Sequence, residues 1–421
     1  MRLPVDDISD NNDGTKTIWM RQPYYGNALA MGDFDENHKW IPRYDVPFYV
    51  ENAKELLDKP GEWYYDANSQ ELFYYPKEGQ EIQTSEFVIP QQLYLLNING
   101  KNVEDEVHDI VFDGITFAYA GWTRASKIGT FGWQAQNLLP LNIQGDYETT
   151  PAHINVNHAN KITFKKCQFI HMGAIALHLN NNVHDSTIEG NLFYDISDSA
   201  IMIGHWNHDY ITSPLIQAPS QFNKIQNNLI SQIGREYWGS PAIAAYYVNN
   251  IDIIHNEINQ IPGTGISVGW GWSSETDSTT CHDNHIAQNS IIEIAQKVTD
   301  GGGIYTLGQQ PGTVIEENVV QMVGNNEPCY YTDEGSAFIT LNNNLCDSAG
   351  LWYSAWIDTI HDIEVQNTYT NVNGILNKGK NINIINTTYV DGQHWPERAE
   401  ALIEESGLEQ NYFFLNNGVG H

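Results

Sequence analysis

Short segments of alternating apolar and polar residues recur along most of the chain, and most of them contain an asparagine near the end of the run. Alternation with a period of two residues is typical of β-strands that bury one face. The segments are Ile162–Phe169, Ile188–Phe193, Ile225–Ile230, Ile253–Ile258, Ile286–Ile291, Val314–Val320, Ile339–Leu345, Ile363–Tyr369 and Ile384–Asn386.

The segments follow one another at intervals of 19 to 37 residues when they are aligned on Cys167, Asn191, Asn228, Asn256, Asn289, Asn318, Asn343, Asn367 and Asn386. The shorter intervals fit one coil of a β-solenoid, and the longer ones leave room for loops on one side. We therefore predict an all-β fold, a right-handed parallel β-helix. Stacked coils place equivalent residues about 4.8 Å apart, so we expect the asparagines to form a structural ladder of hydrogen bonds.

The regions on either side of the repeats predict smaller elements. Residues 1–100 are expected to form an N-terminal segment, with a short helix over Pro47–Asp58 and a hairpin of Trp63–Asp66 with Glu71–Tyr75. Residues 101–421 are expected to form the solenoid. Its last coil would be capped by a helix over Pro396–Glu405, which has a proline in its first turn and a glycine after its end.

Composition and charge restrict the partners of the chain. It has 421 residues, of which 41% are apolar, and its 20 basic and 52 acidic residues give a net charge of -32. Such a charge repels nucleic acids and anionic membranes, so we expect neither as a partner. The sequence contains no long apolar run and does not start with the hydrophobic stretch of a signal peptide. Its four cysteines have neither C-x-x-C spacing nor the density of a disulfide scaffold.

Carboxylates recur at the turns that follow the ladder positions. Asp300 and the pair Asp333 and Glu334 fall on consecutive coils, so their carboxyl groups are expected to lie on the order of 5 Å apart. We expect these turns to line a groove along the stack of coils. When two carboxyl groups lie so near each other in a partly desolvated groove, their pKa values diverge, as an acid-base hydrolase requires. Only one of Asp333 and Glu334 can face the groove. We expect Glu334 to do so and Asp333 to orient it, and the choice between them stays open.

Aromatic and imidazole side chains are frequent in the strands after these turns. Tryptophan and tyrosine suit the apolar faces of sugar rings, and histidine suits their hydroxyl groups. The candidate substrate-binding residues are His178, His205, Trp206, Tyr246, Trp270, Trp272, Tyr305, Trp352 and Trp356. No H-E-x-x-H, EF-hand or G-x-S-x-G motif occurs in the sequence, so we predict no metal site and no cofactor.

Four motifs together resemble the β-helix enzymes of glycoside hydrolase family 141, over a region from about Pro47 to Leu408. They are Gly263–Trp272, Asp300–Gly308, Pro311–Val314 and Tyr331–Ser336. The resemblance implies α-L-fucosidase or xylanase activity, and it implies that the paired catalytic acids fall on Asp300 and on Asp333 or Glu334. Such enzymes usually begin with additional N-terminal coils, which leaves two alternatives: this is a trimmed or divergent form, or a partner chain or oligomer covers the N-terminal open end of the solenoid.

The sequence therefore predicts a glycoside hydrolase that cleaves a complex plant or algal polysaccharide containing fucose or xylose, in an extracellular or periplasmic location. Two alternatives stay open. A polysaccharide lyase would need a basic residue at the groove and, usually, a cation to neutralise a uronate. A non-catalytic glycan-binding module would bind the polysaccharide without releasing sugar.

Overall fold

The computed structural model describes residues 2–30, 33–34, 40–41, 48–130, 134–135, 137–141, 147–206, 219–271, 280–391 and 394–418. Most of these residues wind into three long parallel β-sheets, here named A, B and C. Sheet A has ten strands, stacked in chain order: Leu96–Asn99, Ala152–Asn157, Ile175–Leu179, Ile201–Gly204, Ile243–Tyr246, Ile266–Val268, Ile304–Thr306, Pro328–Thr332, Leu351–Ala355 and Ile375–Asn377.

Sheets B and C complete each coil, so the predicted parallel β-helix is confirmed. Sheet B has eleven strands: Val107–Asp113, Ala159–Lys165, Val183–His184, Thr187–Glu189, Lys224–Gln226, Asp252–Ile254, His285–Ala287, Gln309–Glu316, Ala337–Asn342, His361–Gln366 and Lys380–Ile385. Sheet C has ten: Thr116–Ala120, Gln168–Met172, Leu192–Ile196, Leu229–Ser231, Glu257–Asn259, Ser290–Ile292, Val319–Gln321, Leu345–Asp347, Tyr369–Thr370 and Thr388–Tyr389.

Identical side chains stack inside the solenoid because the coils are in register. In sheet A, Ile201 pairs with Ile243, which pairs with Ile266, and Ile266 pairs with Ile304. All four are at most 1% exposed. Burying one such side chain contributes about 1.5 to 3 kcal/mol, so rows of isoleucine fix the register of successive coils.

The asparagine ladder forms as predicted from Asn191 to Asn318, but the last three aligned positions, Asn343, Asn367 and Asn386, are each one residue too early. Register pairs Leu345 with Tyr369 and Tyr369 with Thr388, so the ladder position is the residue before each of these. Each side-chain amide of Asn191, Asn228, Asn256, Asn289 and Asn318 donates to the side-chain oxygen of the next member, at 2.9 to 3.2 Å. The acceptor for Asn318 is Asn344, so the alignment on Asn343 is wrong by one residue. Asn343 has a φ of +52° and makes the turn before the ladder position.

The N-terminal segment is only partly as expected. The hairpin is confirmed, as Trp63–Asp66 paired with Glu71–Tyr74. The predicted helix over Pro47–Asp58 is wrong for the described residues, which form only a 3₁₀ turn at Lys54–Leu56. Asn52 has a φ of +60° and Ala53 is extended, which prevents a helix from continuing. The first strand of sheet A begins at Leu96, close to the predicted boundary at residue 100.

The C-terminal helix covers the flank of the solenoid. It spans Glu397–Glu405, and its Ala399 and Leu402 pack against Val319 and Leu345 on the outer face of sheet C. The expected cap over the last coil is therefore wrong, and Tyr389 of the last coil is 51% exposed. Ala399 and Leu402 are the buried residues of the helix, so its apolar side faces sheet C.

The remaining elements are short. Antiparallel pairs form between Val5–Asp10 and Lys16–Met20, between Asp33–Phe34 and Trp40–Ile41, and between Leu138–Pro140 and Tyr147–Thr149. The other helices are Tyr24–Ala30 and Arg124–Ile128, with 3₁₀ turns at Ile82–Thr84 and Gln410–Gly418. Within the described ranges, every helix is too short or too polar to cross a lipid bilayer.

A disulfide joins the interior of sheet A to that of sheet C. It links Cys329 and Cys346, whose Cα atoms are 5.8 Å apart. Cys167 and Cys281 are buried free thiols, and Cys167 packs in the solenoid core as a small apolar side chain.

Candidate active site

Two tyrosines on consecutive coils form the centre of the site on the outer face of sheet A. Tyr305 pairs in register with Tyr331, and their rings meet edge to face with centroids 5.1 Å apart. Residues in a strand alternate between faces, so the adjacent Tyr330 packs in the solenoid core. The pairing therefore places two phenol groups side by side at the groove.

Asp333 lies directly beyond the strand Pro328–Thr332 and is 4% exposed. Its Oδ2 accepts a hydrogen bond from the hydroxyl of Tyr305, and its Oδ1 accepts one from Trp356 Nε1 at 2.5 Å. A buried carboxylate is costly unless donors satisfy its oxygens. These two donors hold the carboxyl group in one orientation.

Asp300 lies on the preceding coil, four residues before the strand Ile304–Thr306. Its φ of +66° is in the left-handed region, which aspartate tolerates better than most residues. Its Oδ1 accepts a hydrogen bond from the hydroxyl of Tyr331 at 3.4 Å. Burial, together with the negative charges of Asp333 and Glu327, raises the pKa of Asp300 to about 6.

The three glycines after Asp300 are explained by packing between coils. A Cβ atom at Gly303 would lie 2.4 Å from Val320 Cγ1, and one at Gly302 would lie 2.8 Å from the carbonyl oxygen of Pro328. Both distances are too short for real side chains. The sequence left open a tight turn or a ligand contact, and these contacts favour the structural role.

Two further carboxylates surround the pair. Glu327 accepts a hydrogen bond from the backbone N–H of Gly301 at 3.3 Å, and burial raises its pKa. Glu334 is half-buried, and it contributes less to the raised pKa of Asp300 than Asp333 or Glu327 does. The sequence analysis missed Glu327, because it lies in the turn before its strand, at a position where acidic residues do not recur from coil to coil.

The arrangement can carry out acid-base chemistry. At a pH between the two pKa values, one carboxyl group of a coupled pair holds a proton and the other is charged. The raised pKa of Asp300 suits it to hold and donate a proton. Asp333, whose two oxygens accept hydrogen bonds from Tyr305 and Trp356, is a fixed carboxyl group on the next coil. Among the carboxylates near Asp300, Asp333 exerts the largest effect on its pKa, so the contacts favour Asp333 over Glu334 as its partner.

Most of the predicted aromatic residues lie together on the outer face of sheet A. The apolar cluster there includes Tyr246, Trp270, Tyr305 and Tyr331, with Trp206 and Trp356 packed against it. Trp270 lies 4.8 Å from Tyr246 between ring centroids. Tyr246 is fully buried, whereas Trp206 and Trp356 are half-buried, so the half-buried rings are the better candidates for sugar contacts.

The two predicted histidines are neutral groups. His178 is 3% exposed and donates from Nε2 to the carbonyl oxygen of Gly204 at 2.8 Å. His205 stacks on Trp206 with centroids 5.7 Å apart. Burial lowers the pKa of each histidine to about 4, so neither is a proton carrier near neutral pH.

One predicted residue does not join the site, and the position of another is not described. Trp352 is 1% exposed and packs in the solenoid core, so its placement at the groove is wrong. Register pairs Pro328 with Leu351 and Tyr330 with Tyr353, so Trp352 is equivalent to Cys329. Cys329 also lies in the solenoid core. Trp272 lies outside the described residues.

Across the described ranges, no three metal-ligating side chains are grouped to hold an ion.

Comparisons with known proteins agree with this architecture. The model of the GH141 insertion domain matches residues 37–77, and that of the right-handed β-helix region matches residues 147–281. A solved structure described as a glycoside hydrolase superposes with a TM-score of 0.77 at 26% identity, over 97% of this chain and 68% of that one. The chain is therefore a right-handed β-helix similar to family 141 glycoside hydrolases. The resemblance predicted from the four motifs is confirmed.

Other solved structures are more distant. One is a complex of XylC with xylose, with a TM-score of 0.43 at 12% identity over 83% of this chain and 66% of that one. Another is the surface protein and adhesin PfbA of Streptococcus pneumoniae, with a TM-score of 0.32 at 13% identity over 72% and 82%. No curated protein sequence matches the chain.

Proposed function

We propose that this protein is a glycoside hydrolase in which Asp300 is the general acid and Asp333 is the ionised partner. The observation that carries the proposal is the coupling of the two carboxyl groups through adjacent phenols. Tyr331 donates to Asp300 and Tyr305 donates to Asp333, while the two rings touch each other. The similarity to a solved glycoside hydrolase supports the reaction class.

In the proposed reaction, Asp300 gives its proton to the glycosidic oxygen as the bond from that oxygen to the anomeric carbon breaks. Water supplies a hydroxyl group to the anomeric carbon. Asp333 either removes a proton from this water or forms a transient ester that water then hydrolyses. A carboxylate oxygen has more than one acceptor site, so the bonds from Tyr305 and Trp356 leave Asp333 acceptor capacity. Product anomers distinguish the two courses.

For the substrate, we propose a polysaccharide that contains neutral sugars such as xylose or fucose. Trp356 is a half-buried ring that donates to Asp333, and Trp206 is a half-buried ring packed against the apolar cluster that contains Tyr305. Both suit the apolar faces of sugar rings. Asp300 is surrounded by Asp333, Glu327 and Glu334, which would repel a uronate. This acidic environment disfavours the lyase alternative.

The proposal includes an extracellular or periplasmic location. The support is the disulfide between Cys329 and Cys346, because such bonds persist in oxidising compartments. Measuring the redox state of these cysteines in protein recovered from the source cells would test the location.

The test of the function is time-resolved product analysis on xylan and on fucose- and galactose-containing polysaccharides. Wild-type protein is expected to release reducing sugar, and Asp300→Asn and Asp333→Asn should each lower turnover by several orders of magnitude with melting temperatures preserved. Glu334→Gln is the discriminating variant, with a smaller expected loss. If Glu334→Gln is the inactive variant and Asp333→Asn stays active, Glu334 is the partner. Products that absorb in the ultraviolet, or binding without release of sugar, would refute the hydrolase.

A further inference from the structure

Gln134 reaches the centre of the site from a distant part of the sequence. It lies just before the hairpin of Leu138–Pro140 and Tyr147–Thr149, and it is 166 residues from Asp300 and 171 residues from Tyr305. The repeat pattern does not include this segment, and the proposed reaction has not used it.

The side-chain amide of Gln134 has two N–H groups, and each has a partner in the site. One donates to the backbone carbonyl oxygen of Asp300 at 2.8 Å. Because Asp300 has a left-handed backbone conformation, with a φ of +66°, a bond to its carbonyl group helps to fix a turn that is costly for a residue other than glycine. The amide therefore holds the backbone of the general acid.

The other N–H of Gln134 donates to the hydroxyl oxygen of Tyr305 at 3.1 Å. A hydroxyl group has one proton. Because the Tyr305 oxygen accepts a hydrogen bond from Gln134, the Tyr305 proton is directed to Asp333. The amide thus sets the direction of the Tyr305 hydroxyl. Polarisation along such a chain strengthens the bond to the carboxylate.

The segment that carries Gln134 is fixed on the groove by buried contacts. Leu138 is 2% exposed and packs in the same outer cluster as Tyr305. Past the hairpin, Thr150 Oγ1 donates to Asp198 Oδ2 at 2.7 Å, and both residues are fully or nearly fully buried. The position of Gln134 is therefore set by packing and by buried hydrogen bonds on the groove.

We propose that Gln134 is a positioning residue that aligns both carboxyl groups of the pair, the acid through its backbone and the anion through Tyr305. This inference rests on the proposed function. Gln134 has no contact with the carboxylate oxygens themselves, so its effect is on their orientation and not on proton transfer.

Two variants and a matched control test the inference. Gln134→Leu removes both donors, and Gln134→Glu keeps the shape but replaces the donors with acceptors. The control is Gln296→Leu, because the Gln296 amide also donates to two acceptors, the carbonyl oxygens of Ile294 and Met322, both at 3.0 Å. The assay is kcat and KM on whichever of xylan or the fucose-containing polysaccharide the wild type degrades, with melting temperatures measured in parallel.

We expect Gln134→Leu to lower kcat by about 10- to 100-fold, the combined effect of losing two neutral hydrogen bonds that align the pair. KM should stay unchanged within about twofold, because no ground-state contact with the substrate is lost. Gln134→Glu should be at least as slow as Gln134→Leu, although it is the closer match in shape. A merely structural role predicts the opposite order. Gln296→Leu should keep the wild-type kcat.

Two results would overturn the inference while the function stands. The first is a wild-type kcat in Gln134→Leu when Asp300→Asn is inactive. The second is an equal loss of activity and melting temperature in the Gln134 and Gln296 variants. Full activity in both Asp300→Asn and Asp333→Asn would instead remove the proposed function, and with it the role of Gln134.

Discussion

Asp300, the proposed general acid, should destabilise the fold at the pH where it is ionised. Asp300 has a pKa raised to about 6, against an ordinary value of 3.8. A group whose pKa is higher in the folded state holds its proton more tightly there, so its stabilising contribution is complete below pH 3.8 and is lost as the pH rises through 6. Asp300→Asn removes this titration while keeping the size of the side chain.

The magnitude follows from the two values. The difference between about 6 and 3.8, at 1.36 kcal/mol for each pH unit, corresponds to about 3 kcal/mol. Asp300→Asn is therefore expected to match the wild type near pH 4 and to exceed its free energy of unfolding by up to about 3 kcal/mol at pH 8. The loss of catalysis would accompany a gain in stability, as is common at strained active sites.

Urea unfolding at pH 4, 5, 6, 7 and 8, followed by tryptophan fluorescence and circular dichroism, would measure the difference between wild type and variant. Taking the difference at each pH cancels the titration of the shared groups that do not interact with Asp300. Asp105→Asn, at an exposed carboxyl group, is the control and should show no such trend. A wild-type-minus-variant difference that is flat from pH 4 to pH 8 would refute the burial and charge environment described for Asp300.

Four further outcomes are expected. The pH profile of kcat/KM should fall about tenfold per pH unit above the acid pKa near 6; a constant rate to pH 8 would contradict that role for Asp300. Trp356→Phe keeps a ring but removes the indole N–H, so kcat should fall about tenfold, whereas wild-type kinetics would show that this bond is dispensable. Asn256→Ala, in the middle of the ladder, should cost at least about 2 kcal/mol in chemical unfolding, and an unchanged midpoint would refute the structural role. Replacing Cys329 and Cys346 by serine opens a loop of 17 residues and should cost about 3 kcal/mol; an unchanged melting temperature would contradict this.

The repeat made the coils predictable from the sequence, but not every position on them. The apolar rows and the asparagine ladder follow from a periodic constraint, since each coil must match its neighbours. Asn343 was aligned one residue off because two neighbouring asparagines satisfy the pattern, and only the hydrogen bond from Asn318 to Asn344 selects one. Trp352 was predicted to lie on the outer face of its strand because neighbouring residues of a strand normally point to opposite faces. This alternation fails where the chain passes from sheet C to sheet A, and Cys329, the equivalent residue of the preceding coil, also points inward.

Contacts between segments that lie far apart in sequence could not be predicted in this way. Gln134 and Glu327 have no periodic partner, and their roles appear only when the coils are stacked and the hairpin is docked. The C-terminal helix shows the same limit. Its boundaries follow from local signals at Pro396 and Gly407, but its docking on Val319 and Leu345 depends on which apolar surface the coils leave uncovered.

The choice between Asp333 and Glu334 depends on where the strand before them ends. The expectation that Glu334 faces the groove treated the two residues as part of a turn. The alternation of the strand Pro328–Thr332 continues for one more residue, because the backbone N–H of Asp333 still pairs with Thr306 at 3.0 Å. Counting two residues on from the outward Tyr331 therefore gives Asp333. The ladder of backbone bonds, and not the identity of the acid, brings that carboxylate to Tyr305.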